Sequence, residues 1–142
     1  MAETGSGGPR GFNDSVIADF RARGGRMTGQ FSGAPLLLLT TTGAKTGRSH
    51  TTPVAYTRDG DRLIVYASFA GSPKNPAWYH NLVANPAATV ELGSETFEVR
   101  AEVTTGEERD RLFAEQAARV PQFAGYQRRT SRPIPVVALT RR

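Results

Sequence analysis

The run at residues 35–42, PLLLLTTT, constrains this chain more than any other segment. Four leucines and then three β-branched threonines, with no polar alternation, suit a strand buried on both faces. With 142 residues the chain is one domain, long enough to bury a core and too short for two. The residues after this run read as further strands. Residues 43–49 form a glycine-bracketed loop, and Thr51 to Thr57 is a second strand that Pro53 places at an edge or bulge. Asp59-Gly60-Asp61 is a tight turn into a third strand from Arg62 to Ser68.

The remaining elements follow from caps and breakers. Asn13 or Asp14 reads as the N-cap of a helix carrying Val16, Ile17 and Phe20 and ending at Gly24-Gly25. It is an amphipathic helix packing on the domain, with a membrane-surface role as the alternative. Ala70 to Lys74 is turn-rich. Asn75-Pro76 caps a helix carrying Trp78, Tyr79, Leu82 and Val83, which Asn85-Pro86 stops. Ala88 to Leu92 and Glu95 to Val103 form a hairpin across Gly93-Ser94, and Thr105 with Glu108 reads as a capping box for a helix through about Arg119. A short helix from Pro121 to Arg129 and a last strand from Ile134 to Leu139 complete the series. Helices do not alternate with strands, so the class is α+β: an antiparallel, barrel-like meander of five or six strands with short helices at its ends and mouth. Residues 1–10, rich in glycine, read as a disordered tail, leaving 11–142 as the single domain.

The sequence has no cysteine, which removes disulfides, thiol nucleophiles and thiolate metal sites. His50 and His80 are too few for most metal clusters, and no metal site is expected. There is no run of eighteen apolar residues and no leader-like start, so a cytoplasmic protein is the default. The net charge of +5 is uneven: residues 91–115 are acidic, whereas Arg119, Arg128, Arg129, Arg132, Arg141 and Arg142 follow with no acid among them. That skew favours an anionic partner such as a phosphorylated ligand, a membrane surface or nucleic acid.

Several chemistries are excluded. Gly43-Ala44-Lys45-Thr46 superficially resembles a phosphate-binding P-loop, but alanine precedes the lysine and a strand follows where a helix is required. There is no G-x-G-x-x-G after a strand. Ser49 and His50 are adjacent and point to opposite faces of a strand, and no G-x-S-x-G elbow exists, so a serine hydrolase is a poor reading. The surviving candidate is an anion cradle: two glycines, backbone N–H groups, Lys45, Thr46 and Arg48. A second donor cluster, Ser68 and then Gly71 to Asn75, leads into a helix N-terminus. If strands two and three form a hairpin, both clusters share one end of the sheet, which suits a flat phosphorylated cofactor. Phe123 and Tyr126 would line the same mouth as Trp78.

The stretches LLLLTTTGAKTGRSHTTPVAY (36–56), DGDRLIVYAS (59–68), KNPAWYHNLVANP (74–86) and PIPVVAL (133–139) resemble the deazaflavin-dependent nitroreductase and quinone reductase family of actinobacteria. The similarity runs from about Gly33 to Leu139. It implies a split β-barrel and coenzyme F420, an 8-hydroxy-5-deazaflavin with a phosphate and an acidic tail. By resemblance Lys45, Thr46, Gly47 and Arg48 hold the phosphate end, with His50, Phe69, Lys74 and Asn75 nearby. Thr52, Pro53, Val54, Ala67 and Ser68 lie along the ring, and Trp78, Asn81 and Leu82 close the pocket; Trp78, Phe123 and Tyr126 face the substrate. Family members often have arginine at the position of His50 and lysine at that of Phe69, so contacts to phosphate or tail are weaker here. Val120 and Phe123 stand where nitro-reducing members carry tyrosines, which leaves quinone or enone reduction favoured over nitro reduction.

The implied activity is hydride transfer from reduced F420 to a small planar acceptor (quinone, enone or nitro compound), with orientation and a dry pocket supplied by the protein and no residue acting as nucleophile or acid–base catalyst. Tyr126 would donate a hydrogen bond to the acceptor oxygen. The rivals are a non-enzymatic lipid-binding barrel and a reductase using flavin mononucleotide (FMN), which ranks behind F420. No nucleic-acid partner is expected. Association with the inner face of the membrane and a monomer or homodimer complete the expectations.

Overall fold

The computed structural model describes residues 10–24, 36–68 and 74–142. Its strands are β1 (Leu36–Thr42), β2 (Ser49–Asp59), β3 (Arg62–Tyr66), β4 (Ala87–Leu92), β5 (Glu95–Val103) and β6 (Val136–Arg141). Its helices are α1 (Arg10–Ala22), α2 (Ala77–Ala84), α3 (Gly106–Arg119) and α4 (Gln122–Arg128). All pairings are antiparallel, and the ring order β1-β2-β3-β6-β5-β4 closes on itself. The expected simple meander is corrected to two three-stranded meanders joined along β3–β6 and β1–β4.

Tight turns create the hairpins. Asp59 faces Arg62 and Leu92 faces Glu95 across two-residue loops. Gly60 and Gly93 sit at φ of 63° and 61°, which such turns require and glycine adopts without strain.

The unbroken apolar runs are strands with a helix on the back. Leu37 and Leu39 point into the barrel with Leu63, Val65, Val90, Val99, Val137 and Leu139. Leu38 points out against Val16 and Phe20 of α1. In β3, Leu63 and Val65 face in, while Ile64 and Tyr66 face out beneath Leu112 and Phe113 of α3 and Phe123 and Tyr126 of α4. β5 alternates instead, because Thr96, Glu98, Arg100 and Glu102 are exposed on its outer side. Period-2 patterning is erased wherever both faces are covered.

The cap assignments are corrected. Helix α1 begins at Arg10, so Asn13 and Asp14 lie within it, while Gly24 follows its end at φ 62°. Thr105 occupies the N-cap position of α3 but makes no side-chain cap bond, and Glu108 instead accepts from Arg62 Nη2 at 2.9 Å. The N-cap position of α2 falls on Pro76, and Asn75 Oδ1 accepts from Arg132. Strand β6 starts at Val136 rather than Ile134. The expected tail up to residue 9, Gly25, Pro35 and the 69–73 turn with Phe69 lie outside the described residues.

Candidate functional site

Antiparallel pairing carries the exits of β1 and β3 and the starts of β2, β4 and β6 to one end of the barrel. The 43–48 loop and the residues leading to α2 therefore share that end. One side chain ties them together. Asn81 of α2, largely buried, donates through Nδ2 to Thr41 Oγ1 and accepts the Ala44 N–H at Oδ1, both at 3.0 Å. Asn81, expected to close the pocket, thus uses both ends of its amide to seat the loop.

The loop is shaped by its own backbone. Gly43 N–H donates to Arg48 O at 2.7 Å, and Gly47 N–H to Gly43 O at 2.9 Å. Its two glycines are needed for different reasons. Gly47 has φ 72°, in the left-handed region, with open space around it. Gly43 has no such φ, but a Cβ there would lie 2.6 Å from Thr46 Oγ1 and 2.9 Å from His50 Nε2. Thr46 Oγ1 accepts the Arg48 N–H at 3.2 Å. The N–H groups of Lys45 and Thr46 donate to nothing among the described residues. Lys45 and Arg48 are exposed and face no carboxylate among those residues. Two cations and two N–H groups without a described acceptor lie together on this turn, a donor set of the kind that suits an anion.

Beside the loop, two strands part. β2 pairs with β1 from Ser49 to Ala55, but with β3 only from Tyr56 to Asp59. Past Tyr66 the chain leans toward β6, and Ala67 N–H donates to Pro135 O at 2.9 Å. Among the described residues the other backbone edge of Ser49 to Ala55 has no strand beside it, which is where a proline such as Pro53 is tolerated. His50, Thr52 and Val54 share the barrel-facing side, across from Thr41, Leu39 and Leu37, whereas Pro53 lies opposite Leu38 on the outer side. An open edge beside an anion cradle fits a flat group with a negatively charged end, and the donor set is of the right kind for it.

In the sequence Arg132 is no more than one member of the basic C-terminal stretch. In the structure it lies at the heart of this end. Nη1 donates to Ala67 O at 3.2 Å and Asn75 Oδ1 at 2.8 Å, and Nη2 donates to Ser68 O at 2.9 Å. Burial pulls its pKa below the usual arginine value. Its place directly before Pro133, ahead of the final strand, is what sets it apart in the sequence.

The residues expected to face the substrate are not brought into one cluster. Trp78, 5% exposed, and Leu82, 3% exposed, plug the barrel interior. Phe123 and Tyr126 pack on the outside of β3; Phe123 meets the Tyr66 ring at 5.6 Å and that of Tyr126 at 5.4 Å. The Tyr126 hydroxyl makes no hydrogen bond among the described residues. Lys74 is exposed beside Asn75. No helix among the described residues is long and apolar enough to cross a membrane.

Residues 15–141 match the model of the F420H(2)-dependent quinone reductase family. A Mycobacterium tuberculosis (strain H37Rv) protein described as an F420H(2)-dependent quinone reductase is 44% identical over 131 residues, covering 88% of this chain and 87% of that protein. Among solved structures, an F420-H2 dependent reductase is 36% identical with a TM-score of 0.67, covering 74% of this chain and 93% of that one. A chain described as a domain-swapped dimer is 31% identical with a TM-score of 0.70, covering 89% of this chain and 92% of that one.

Proposed function

The chain belongs to the F420H(2)-dependent quinone reductase family, oxidoreductases with coenzyme F420 as cofactor, and from that premise we propose how its residues divide the work. When bound, the reduced coenzyme supplies the hydride for a quinone acceptor. Lys45, Arg48 and the N–H groups of Lys45 and Thr46 hold its anionic end, and Asn81 keeps the loop in shape for it. The β2 edge at Thr52 to Val54, which no described strand pairs, and the Ala67-Ser68 stretch border the ring system. Trp78 and Leu82 seal the barrel beneath it and keep water out. Tyr126 offers its hydroxyl to the acceptor oxygen, where a hydrogen bond strengthens as negative charge develops. Alignment of donor and acceptor at about 3–3.5 Å is the protein's chief contribution to the rate.

The observation that carries this reading is the exposed 43–48 loop, whose two cations meet no carboxylate and whose Lys45 and Thr46 N–H groups donate to nothing among the described residues. Titration of the protein with oxidised F420, followed by fluorescence with FMN in parallel, tests it. Saturable binding of the deazaflavin, lost in Lys45→Ala, is the expected result; equal binding by Lys45→Ala removes the loop from the site. Replacing residues 120–126 by alanine is expected to abolish quinone turnover while coenzyme binding persists, and retained turnover removes Tyr126 from the acceptor site.

The absence of cysteine suits a reducing cytoplasm, and the arginines after residue 118 suit contact with an anionic membrane face. Failure to float with anionic vesicles counts against that contact. The likeness to a relative described as a domain-swapped dimer supports a homodimer, and sedimentation as a monomer at micromolar concentration counts against it.

A further inference from the structure

A strand leaving Tyr66 would ordinarily go on pairing with its neighbour, yet among the described residues no strand pairs with the second edge of β2 from Ser49 to Ala55. The chain turns away instead. A single guanidinium takes the carbonyl oxygens of Ala67 and Ser68 at 3.2 and 2.9 Å and Asn75 Oδ1 at 2.8 Å. Two stretches of chain, the exit of β3 and the entry to α2, are thus held by one planar fork. An ammonium group on a flexible stem does not reproduce that reach.

Arg132 is itself held. Its carbonyl oxygen accepts from Gln127 Nε2 at 2.8 Å, and Gln127 Oε1 accepts from Ile134 N–H at 3.0 Å and Arg109 Nη2 at 2.9 Å. Arg109 donates to Ile134 O from Nε at 3.1 Å and from Nη2 at 2.9 Å, and its guanidinium lies 4.7 Å over the Phe113 ring. The strut is anchored through α4 to α3.

Resting on the coenzyme assignment above, we infer that Arg132 is a positioning residue for hydride transfer: it holds Ala67-Ser68 away from the β2 edge, seats Asn75 before α2, and so sets the width of the cleft that takes the coenzyme ring. Arg132 acts through backbone oxygens and one amide, and its effect falls on coenzyme binding rather than on acceptor recognition.

The test uses Arg132→Ala and Arg132→Lys in the full chain. Hydrogen exchange at the Ala67 amide, measured without coenzyme, reads the strut directly, because that N–H is bonded to Pro135 O. Binding of oxidised F420 and the separate KM values for F420H2 and a soluble quinone read the cleft, with and without millimolar methylguanidinium. Faster Ala67 exchange in both variants is expected, with F420 binding about tenfold weaker or worse in Arg132→Ala, an unchanged quinone KM, and recovery with methylguanidinium. Arg132→Lys, which keeps the charge but not the fork, binds F420 with intermediate affinity. F420 affinity equal to that of the unsubstituted chain overturns the proposal. So does weakened binding that methylguanidinium does not restore, the mark of a residue needed only for folding. If Arg132→Ala does not fold, Arg132→Lys decides by its affinity alone. If the unsubstituted chain binds no F420, the coenzyme assignment is what fails, and unchanged Ala67 exchange in a variant then overturns the strut separately.

Discussion

At the end of the barrel marked by Gly60 and Gly93, strands pair to their last residue and turn back within two. At the opposite end, β2 and β3 separate after Tyr56 and Val65, the 43–48 loop stands exposed, and a guanidinium substitutes for a strand partner. The first end satisfies backbone polar groups with each other. The second leaves N–H groups open and pulls carbonyl oxygens aside. Its side chains follow suit: the apolar residues of β1 and β3 sit between the interior and the covering helices, whereas Lys45 and Arg48 meet no carboxylate among the described residues. On the proposed reading, stability and binding draw on different parts of one sheet and should separate under mutation.

The widest separation is expected from Leu39→Ala. Leu39 is fully buried in the interior, so the change is expected to lower unfolding free energy by about 2–5 kcal/mol in urea titrations. F420 affinity of the folded fraction stays as it was; a matching loss of affinity breaks the division. Next, Lys45→Ala with Arg48→Ala is expected to weaken F420 binding about a hundredfold, and less so at high salt, with melting temperature unchanged. A smaller effect, about 1 kcal/mol of stability, is expected for Gly47→Ala, because φ 72° is strained for any residue with a Cβ. Circular dichroism melts check it.

The smallest effect belongs to the well-paired end. Hydrogen bonds from Arg62 and then Arg111 hold the Asp59 pKa below its ordinary value of 3.8. A folded pKa below the unfolded one means the stabilisation is complete above pH 3.8 and fades as pH falls through the lowered value. Melting temperatures across acid pH are expected to show Asp59→Asn below the parent at neutral pH, the two converging in strong acid. A gap that stays constant with pH assigns the loss to something other than this charge.

The strands were legible because hairpin glycines and apolar runs are local signals. Leu36 to Leu39 announced a strand covered on both sides, and the structure supplies the barrel interior on one and α1 on the other. The barrel was expected, but its strand order was not legible, since the β1–β4 seam rests on only three facing pairs from distant parts of the sequence. Caps misled for a different reason: Glu108 and Asn75 had stronger partners in Arg62 and Arg132 than the helix ends offered. Lys45, Thr46, Gly47 and Arg48 stand out because a glycine-bracketed cationic loop is contiguous. Arg132 does not, because its partners lie 65 and 57 positions away in the chain.

The two meanders, β1-β2-β3 and β4-β5-β6, are each continuous in sequence, and each is finished only by the other along the β3–β6 and β1–β4 seams. Nothing in those seams records which molecule supplied the partner half. The stretch from Ala67 to Pro86 is the single tether that makes the correct choice a matter of proximity. Covalent connection raises the local concentration of the chain's own second half, while the hydrogen bonds themselves are indifferent to which molecule supplies it.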